Sequence, residues 1–309
     1  MSASTKQTLT IGAAVAIGIG VLVALGLFRS TEPPAPAPTP SATSSATSSA
    51  PAPTPTTTER VIGTSVEGRD ITAFTFGTGD TDVLFVGGIH GGYEWNSILL
   101  AYEAIDYLRA NPETIPAEQT VHIIPNLNPD GLYAATGLTG RFAASDITDY
   151  SMHETGEGRM NANGVDLNRN FDCKWAPEST WRGQTVSAGT GPFSEPEAAA
   201  LRDYVADTEP AGVVFWHSRA DNVYASECEE GVLPGTLALM NAYADAAGYG
   251  AVESFDAYPI TGDAEGWLAS IGIPAVTVEL TGRTTPEWSK NRAGLTATLD
   301  LFATDGLAR

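Results

Sequence analysis

The chain has 309 residues and carries 37 acidic against 16 basic side chains, a formal net charge of −21 at pH 7. An acid excess of that size argues against nucleic acid and anionic lipid headgroups as partners. Two cysteines are too few for a disulfide-framework protein, whereas the roughly 250 residues of balanced composition after position 58 suit one α/β domain.

Leu9 to Phe28 contains no charged residue and is rich in Ala, Val, Ile, Leu and Gly. A helix of that length spans roughly 30 Å, the thickness of a bilayer core. Residues 1–30 are therefore expected to form a transmembrane anchor, with a cleaved signal segment as the alternative. Residues 31–58 consist of Pro, Ala, Ser and Thr plus one Glu, and are expected to be a disordered linker. Residues 59–309 form the folded block.

ERVIGTSVEGRDITAFTFG (59–77) predicts a hairpin turning at Glu67-Gly68. DVLFVGGIH (82–90) predicts a strand buried on both faces. From Glu94 to Leu108, Leu99, Leu100, Tyr102, Ile105 and Leu108 share one side of a helix. TVHIIPNLN (120–128) predicts the next strand, stopped by Pro129-Asp130-Gly131. Ser194-Glu195-Pro196-Glu197 predicts a helix start with Ser194 as its cap. GVVFWHS (212–218) predicts another buried strand, helices follow near 235–247 and 263–271, and IPAVTVEL (273–280) predicts a further buried strand before a closing helix over 287–303. This alternation predicts a mostly parallel sheet covered on both faces. Ligands of such sheets bind beyond the carboxyl ends of the strands, where His90, His217 and Glu279 fall.

His90 alone reads as a turn histidine. Glu94, four residues on, is either an acid at a helix start or a second ligand converging with His90 on one cation. Of the other histidines, His122 sits in mid-strand and is expected to be packed, and His153 sits in a polar loop and is expected to be solvated. His217 ends its strand as His90 ends its own. His90, Glu94 and His217 thus form a candidate zinc set with the fourth position left to water. Glu279 either reaches solvent past the sheet or serves as a general base beside the metal. Asn168-Arg169 offers donors, and an arginine can grip a carboxylate through two parallel bonds. Arg159 lies ten residues earlier. Either arginine can instead make a surface ion pair. In an exported domain Cys173 and Cys228 are expected to form a disulfide rather than bind metal, closing a loop of 55 residues between site segments.

Taken in order, GGIHGGYE (87–94), NLNPDG (126–131), GVDLNRNF (164–171), FSEPEAAAL (193–201), VVFWHS (213–218) and TGDAEGWLASIGIPAVTVEL (261–280) resemble the zinc metallocarboxypeptidase family, the funnelin-type peptidases. The resemblance covers nearly all of 59–309. It implies a mixed, mostly parallel eight-stranded sheet between helices, with one Zn²⁺ held by His90, Glu94 and His217. It implies that Asn168 and Arg169 bind the substrate's terminal carboxylate, that Arg159 polarises the scissile carbonyl, that Tyr258 closes over substrate, and that Glu279 is the general base. It sets Glu265, two residues before Trp267, at the base of a side-chain pocket, where it attracts a cationic group; a helix-surface Glu is the alternative. The family's motif has two residues between His and Glu. Here there are three, and the extra one is either absorbed by Gly91-Gly92 or displaces Glu94. The implied function is hydrolysis of the C-terminal residue of peptides or cell-wall stem peptides by a metal-activated water. The alternatives are a zinc deacylase of N-acyl amino acids and a non-catalytic domain that binds C-termini or peptidoglycan. The expected protein is a monomer with an extracytoplasmic domain, held to the membrane by its N-terminal helix or secreted after cleavage. Its partner is a peptide or a peptidoglycan stem peptide, and not nucleic acid.

Overall fold

A computed structural model of the chain describes residues 57–255 and 259–303. The expected anchor, nearly all of the linker, and Tyr258 lie outside the described residues. Among the described residues no helix is long and apolar enough to cross a membrane.

The strands in chain order are β1 (Thr58–Thr64), β2 (Asp70–Gly77), β3 (Thr81–Val86), β4 (Gln119–Ile124), β5 (Glu178–Trp181), β6 (Gln184–Ser187), β7 (Gly212–Ser218), β8 (Asn222–Ala225), β9 (Glu227–Cys228), β10 (Gly231–Val232), β11 (Gly250–Val252) and β12 (Ala275–Leu280). The helices are α1 (Trp95–Ala110), α2 (Pro129–Thr136), α3 (Met152–Thr155), α4 (Pro196–Thr208), α5 (Pro234–Ala247), α6 (Ala264–Ser270) and α7 (Trp288–Ala303).

One mixed eight-stranded sheet runs in the order β1-β2-β4-β3-β7-β12-β8-β11. Its centre is parallel: β3 pairs with β4 and β7, and β7 with β12. The β1–β2 hairpin adds antiparallel strands at one side, and β8 joins β12 antiparallel at the other. Burial of both faces explains the unbroken apolar runs of β3 and β7. Val83, Phe85, Val214 and Trp216 point into a layer with α1, α5 and α7. Their neighbours Leu84, Val86, Val213 and Phe215 point into the opposite layer with α4 and α6. Phe85 and Trp216 stack with ring centroids 5.3 Å apart, which is worth roughly 0.5–1.5 kcal/mol beyond the area they bury.

Three expectations shift. The strand over 82–90 ends at Val86, so His90 stands in a turn rather than at a strand's last residue. Pro129-Asp130-Gly131 starts a helix instead of merely stopping a strand. Asn128 caps α2, its side chain accepting the Gly131 N–H at 2.8 Å, and Pro129 fills a first-turn position that needs no donor. The next helix begins at Pro196 with Glu195 in the cap position, one residue later than expected. Ser194 Oγ instead donates to Glu195 Oε1 at 2.8 Å.

Candidate metal centre and substrate cleft

Strands β7 and β12 lie in parallel register, with His217 beside Glu279. Side chains alternate along a strand, so 213, 215 and 217 share a face with 275, 277 and 279. That face packs on α6 and then opens into a cleft of about 460 Å³ lined by His217, Thr277 and Glu279.

His90 is brought there by a turn that only glycine permits. Gly91–Glu94 forms one 3₁₀ turn after His90. Gly91 has φ +45°, and a Cβ there would lie 2.7 Å from Gly158 O and 2.8 Å from Gly131 C. The turn absorbs the third intervening residue and returns Glu94 to His90, with Nδ1 and Oε1 3.1 Å apart. His217 Nδ1 is 3.2 Å from His90 Nδ1 and 3.2 Å from Glu94 Oε2. Tetrahedral ligands about 2.0–2.1 Å from a zinc ion lie about 3.3 Å from one another. The two imidazoles stand at that spacing and meet opposite oxygens of the Glu94 carboxylate; with one ligand atom from each residue within 4.8 Å of the others, this buried group could hold one divalent cation with a fourth position left over.

Each imidazole has a carboxylate behind it. His217 Nε2 lies 3.2 Å from Glu265 Oε1, and His90 Nε2 lies 3.5 Å from Asp166 Oδ1. Such outer partners fix the ring and raise its basicity toward a metal. Burial alone would lower the His217 pKa, but its hydrogen bonds to Glu265 and Glu94 carry it up to about 10. Burial would raise Glu94, yet the two imidazoles hold it well below the usual carboxylate range.

Glu279 is partly buried, its Oε2 is screened from solvent, and that atom has no hydrogen-bond partner. Burial and the nearby Glu94 charge push its carboxyl up to about 7. The reading of a Glu reaching solvent past the sheet does not hold.

Asn168 and Arg169 sit in a 3₁₀ turn, Leu167–Arg169, which Asp166 caps by accepting the Asn168 N–H at 3.2 Å. Asn168 Oδ1 accepts the Ala264 N–H at 2.8 Å, which joins the turn to the start of α6 and leaves the amide's donor end for the cleft. Arg169 donates through Nε to Ser179 Oγ (3.1 Å) and through Nη1 to Asn168 O (2.6 Å). Among the described residues its Nη2 makes no hydrogen bond. The α6 approach is close: Gly262 has φ +68°, and a Cβ there would meet Arg169 O at 2.1 Å. Arg159 is buried and grips Asp166 through Nε (3.0 Å) and Nη2 (2.9 Å), while Nη1 stands 3.8 Å from Glu94 Oε1. A surface ion pair is excluded for it. Arg159, with His90, holds the buried Asp166 below the usual carboxylate range although desolvation opposes it.

Glu265 is only 2% exposed, which rules out the helix-surface reading. It lines the cleft, and its Oε1 also accepts the Thr277 hydroxyl at 2.9 Å. Asp263 lines the cleft beside it and caps α6 by accepting the Gly266 N–H at 2.8 Å. Burial and Glu265 push Asp263 up to about 6. Cys173 and Cys228 form a disulfide with Cα atoms 6.0 Å apart, and Cys173 also lines the cleft. His122 is packed as expected, bonded to Asp82 and the Tyr204 hydroxyl. His153 is half-buried against Tyr93 rather than solvated, because α3 folds it inward. Asp166 carries no motif of its own in the sequence. An acid between Val165 and Leu167, just before the Asn-Arg pair, was the available signal.

The chain is 26% identical over 247 residues to γ-D-glutamyl-L-diamino acid endopeptidase 1 of Lysinibacillus sphaericus, a match covering 73% of this chain and 61% of that protein's length. It is similar in fold to carboxypeptidase A from Helicoverpa armigera (TM-score 0.63, 20% identity, 81% of this chain and 69% of that one). It is also similar in fold to murein-tripeptide amidase MpaA from Escherichia coli O157 (TM-score 0.54, 23% identity, 79% and 91%). A profile of the zinc carboxypeptidases matches residues 49–287, most of the chain and all of the residues around the cleft, so the protein belongs to the zinc carboxypeptidase family.

Proposed function

We propose that this chain is a zinc-dependent carboxypeptidase that releases the C-terminal residue of peptides, with cell-wall stem peptides as its substrate class. One observation carries the reading. His90, Glu94 and His217 bring one ligand atom each within 4.8 Å of one another, in the same cleft as Glu279, whose Oε2 has no partner, and the Asn168-Arg169 donors. Two relatives, a murein-tripeptide amidase and a γ-D-glutamyl-L-diamino acid endopeptidase, support the stem-peptide class. The disulfide supports an oxidising compartment, and hence an extracytoplasmic domain.

In this reading His90, Glu94 and His217 hold the ion, which when bound acidifies water and polarises a carbonyl. Asn168 and Arg169 hold the substrate's terminal carboxylate through the amide Nδ2 and the guanidinium Nη2. Glu279 Oε2 takes one proton from the attacking water as the C–O bond forms, and returns it to the amide nitrogen as the C–N bond breaks. Arg159, fixed by Asp166, donates to the oxygen on which charge develops. Glu265 steadies His217, and with Asp263 gives the cleft an acidic floor suited to a cationic side chain. Tyr258 is proposed as the residue that closes over substrate; its near neighbours Phe255 and Pro259 line the cleft.

The test combines metal analysis of the purified protein with an assay for amino acids freed from peptide C-termini. One zinc per chain is expected, with release lost to a chelator and restored by zinc. Turnover of N-acyl amino acids without peptide cleavage would replace this reading with that of a deacylase. Peptide binding without any turnover would make the domain a binder.

A further inference from the structure

The basic residues of this acidic chain are not spread evenly. Among the described residues, Arg169, Lys174, Arg182, Arg219, Arg283 and Arg292 have no carboxylate within 4.0 Å, while the remaining Lys and Arg side chains do. All of these six except Arg292 line the cleft or its outer mouth. With a net charge of −21, acids are plentiful everywhere on the surface. Cations left without a carboxylate partner around one opening suit an anion arriving from outside.

Arg169 is already assigned to the terminal carboxylate. Arg219 and Arg283 lie elsewhere. A second cavity adjoins the cleft and shares Tyr93, Trp181, Arg219, Ala220 and Arg283 with it. Arg182 also lines this cavity, but Asn168, Arg169, Asp263 and Glu265 do not. Arg219 follows Ser218 at the end of β7, two positions beyond His217, and is exposed. Arg283 is half-buried, with its guanidinium carbon 4.6 Å from the Tyr93 ring centre, and its Nε is screened from solvent without a partner. Asp221, the acid of this mouth, is taken up by the Thr281 hydroxyl at 2.6 Å and by Lys290 at 3.2 Å. Burial, and after it the charges of Arg283 and Arg219, lower the pKa of the nearby His153. A peptide whose C-terminal residue occupied the Arg169 end could place its preceding residues in this adjoining mouth.

We propose that Arg219 and Arg283 form a second anion subsite, which selects peptides bearing a carboxylate within two residues on the N-terminal side of the scissile bond. The proposal rests on the peptidase reading above and narrows its substrate class to acidic peptides. Arg283, stacked on Tyr93, supplies a pre-positioned donor. Arg219, free to swing, supplies a second charge whose attraction salt will screen.

The experiment uses the zinc-loaded full chain and pairs of acetylated tetrapeptides that differ only by Glu or Gln at one of those two positions. For one position, kcat/KM is expected to favour Glu by about tenfold, the scale of one charge-assisted hydrogen bond. The preference should shrink as ionic strength rises from about 0.05 to about 0.5 M. R219Q and R283Q should each cut it toward unity, and R219E should turn it toward a Lys peptide. Arg219 is exposed and has no ion pair among the described residues, so its variants test the idea even if R283Q folds poorly. A Glu/Gln ratio near one at both positions in the parent protein overturns the subsite. If neither peptide is cleaved, the peptidase reading fails; calorimetric binding of the same pair then decides the subsite separately, and equal affinities overturn it.

Discussion

At the residue scale, Glu279 differs from the other acids of the cleft in what it lacks. Glu94, Glu227, Asp263 and Glu265 all accept hydrogen bonds, whereas Glu279 Oε2 has no partner in a screened position. Replacing it by Gln keeps the shape and removes the proton acceptor. E279Q is expected to lower kcat by roughly 10²–10⁴ with zinc content unchanged, measured by steady-state kinetics beside metal analysis. Asp263 offers a test through pH. Its folded-state pKa of about 6 lies above its ordinary 3.8, so the folded protein binds the proton more tightly than the unfolded chain does. Its contribution is therefore full below about pH 4 and is lost as pH rises through about 6. D263N keeps a good helix cap and removes the titration. The melting temperature of the metal-free variant should change less between pH 4 and pH 6 than that of the parent. His90, Glu94 and His217 were legible in the sequence because histidine is scarce and each sits beside a chain reversal. Asp166 was not, since one acid in a loop has no period to betray its burial.

At the element scale, the site depends on how tightly one turn can be wound. Gly91 at φ +45° packs against the backbone of Gly158 and Gly131, and only this turn lets a spacing of three residues serve where the family motif has two. G91A is expected to destabilise the fold by roughly 1–3 kcal/mol and to weaken zinc binding more than tenfold. Urea denaturation and metal titration would measure the two effects separately. Normal zinc affinity in a stably folded G91A would show that the turn does not set the ligand geometry. The central strands were readable from composition because parallel strands buried on both faces must be apolar throughout. Strands β8 and β11, four and three residues long, show no such pattern, and β11 is largely exposed. The start of α2 was missed because Asn-Pro-Asp-Gly suits a turn as well as a capped first helical turn.

At the scale of the whole molecule, an ion held by His90, Glu94 and His217 would tie distant segments together. The candidate ligands come from the turn after β3 and from β7, and their outer partners come from the segment between α3 and β5 and from α6. An ion that binds only the folded state adds about 4 kcal/mol at a free concentration a thousand times its Kd. Chelation is therefore expected to lower the melting temperature by about 10 °C, and zinc should restore it, as followed by scanning calorimetry. The same long-range assembly limited the sequence reading: it could pair the two histidines, but not say which acids would stand behind them.

The bridge between Cys173 and Cys228 makes a closed ring of the chain from the clamp turn to the strand after the second histidine. Peptide bonds inside that ring, such as those at the exposed Arg182-Gly183 tip of the β5–β6 hairpin, can be cut without releasing either piece. Limited trypsin digestion should give two fragments on a reducing gel and one band of undiminished mass without reductant. Under the proposed extracytoplasmic placement, the domain would in this way survive a protease's cut nicked but still assembled.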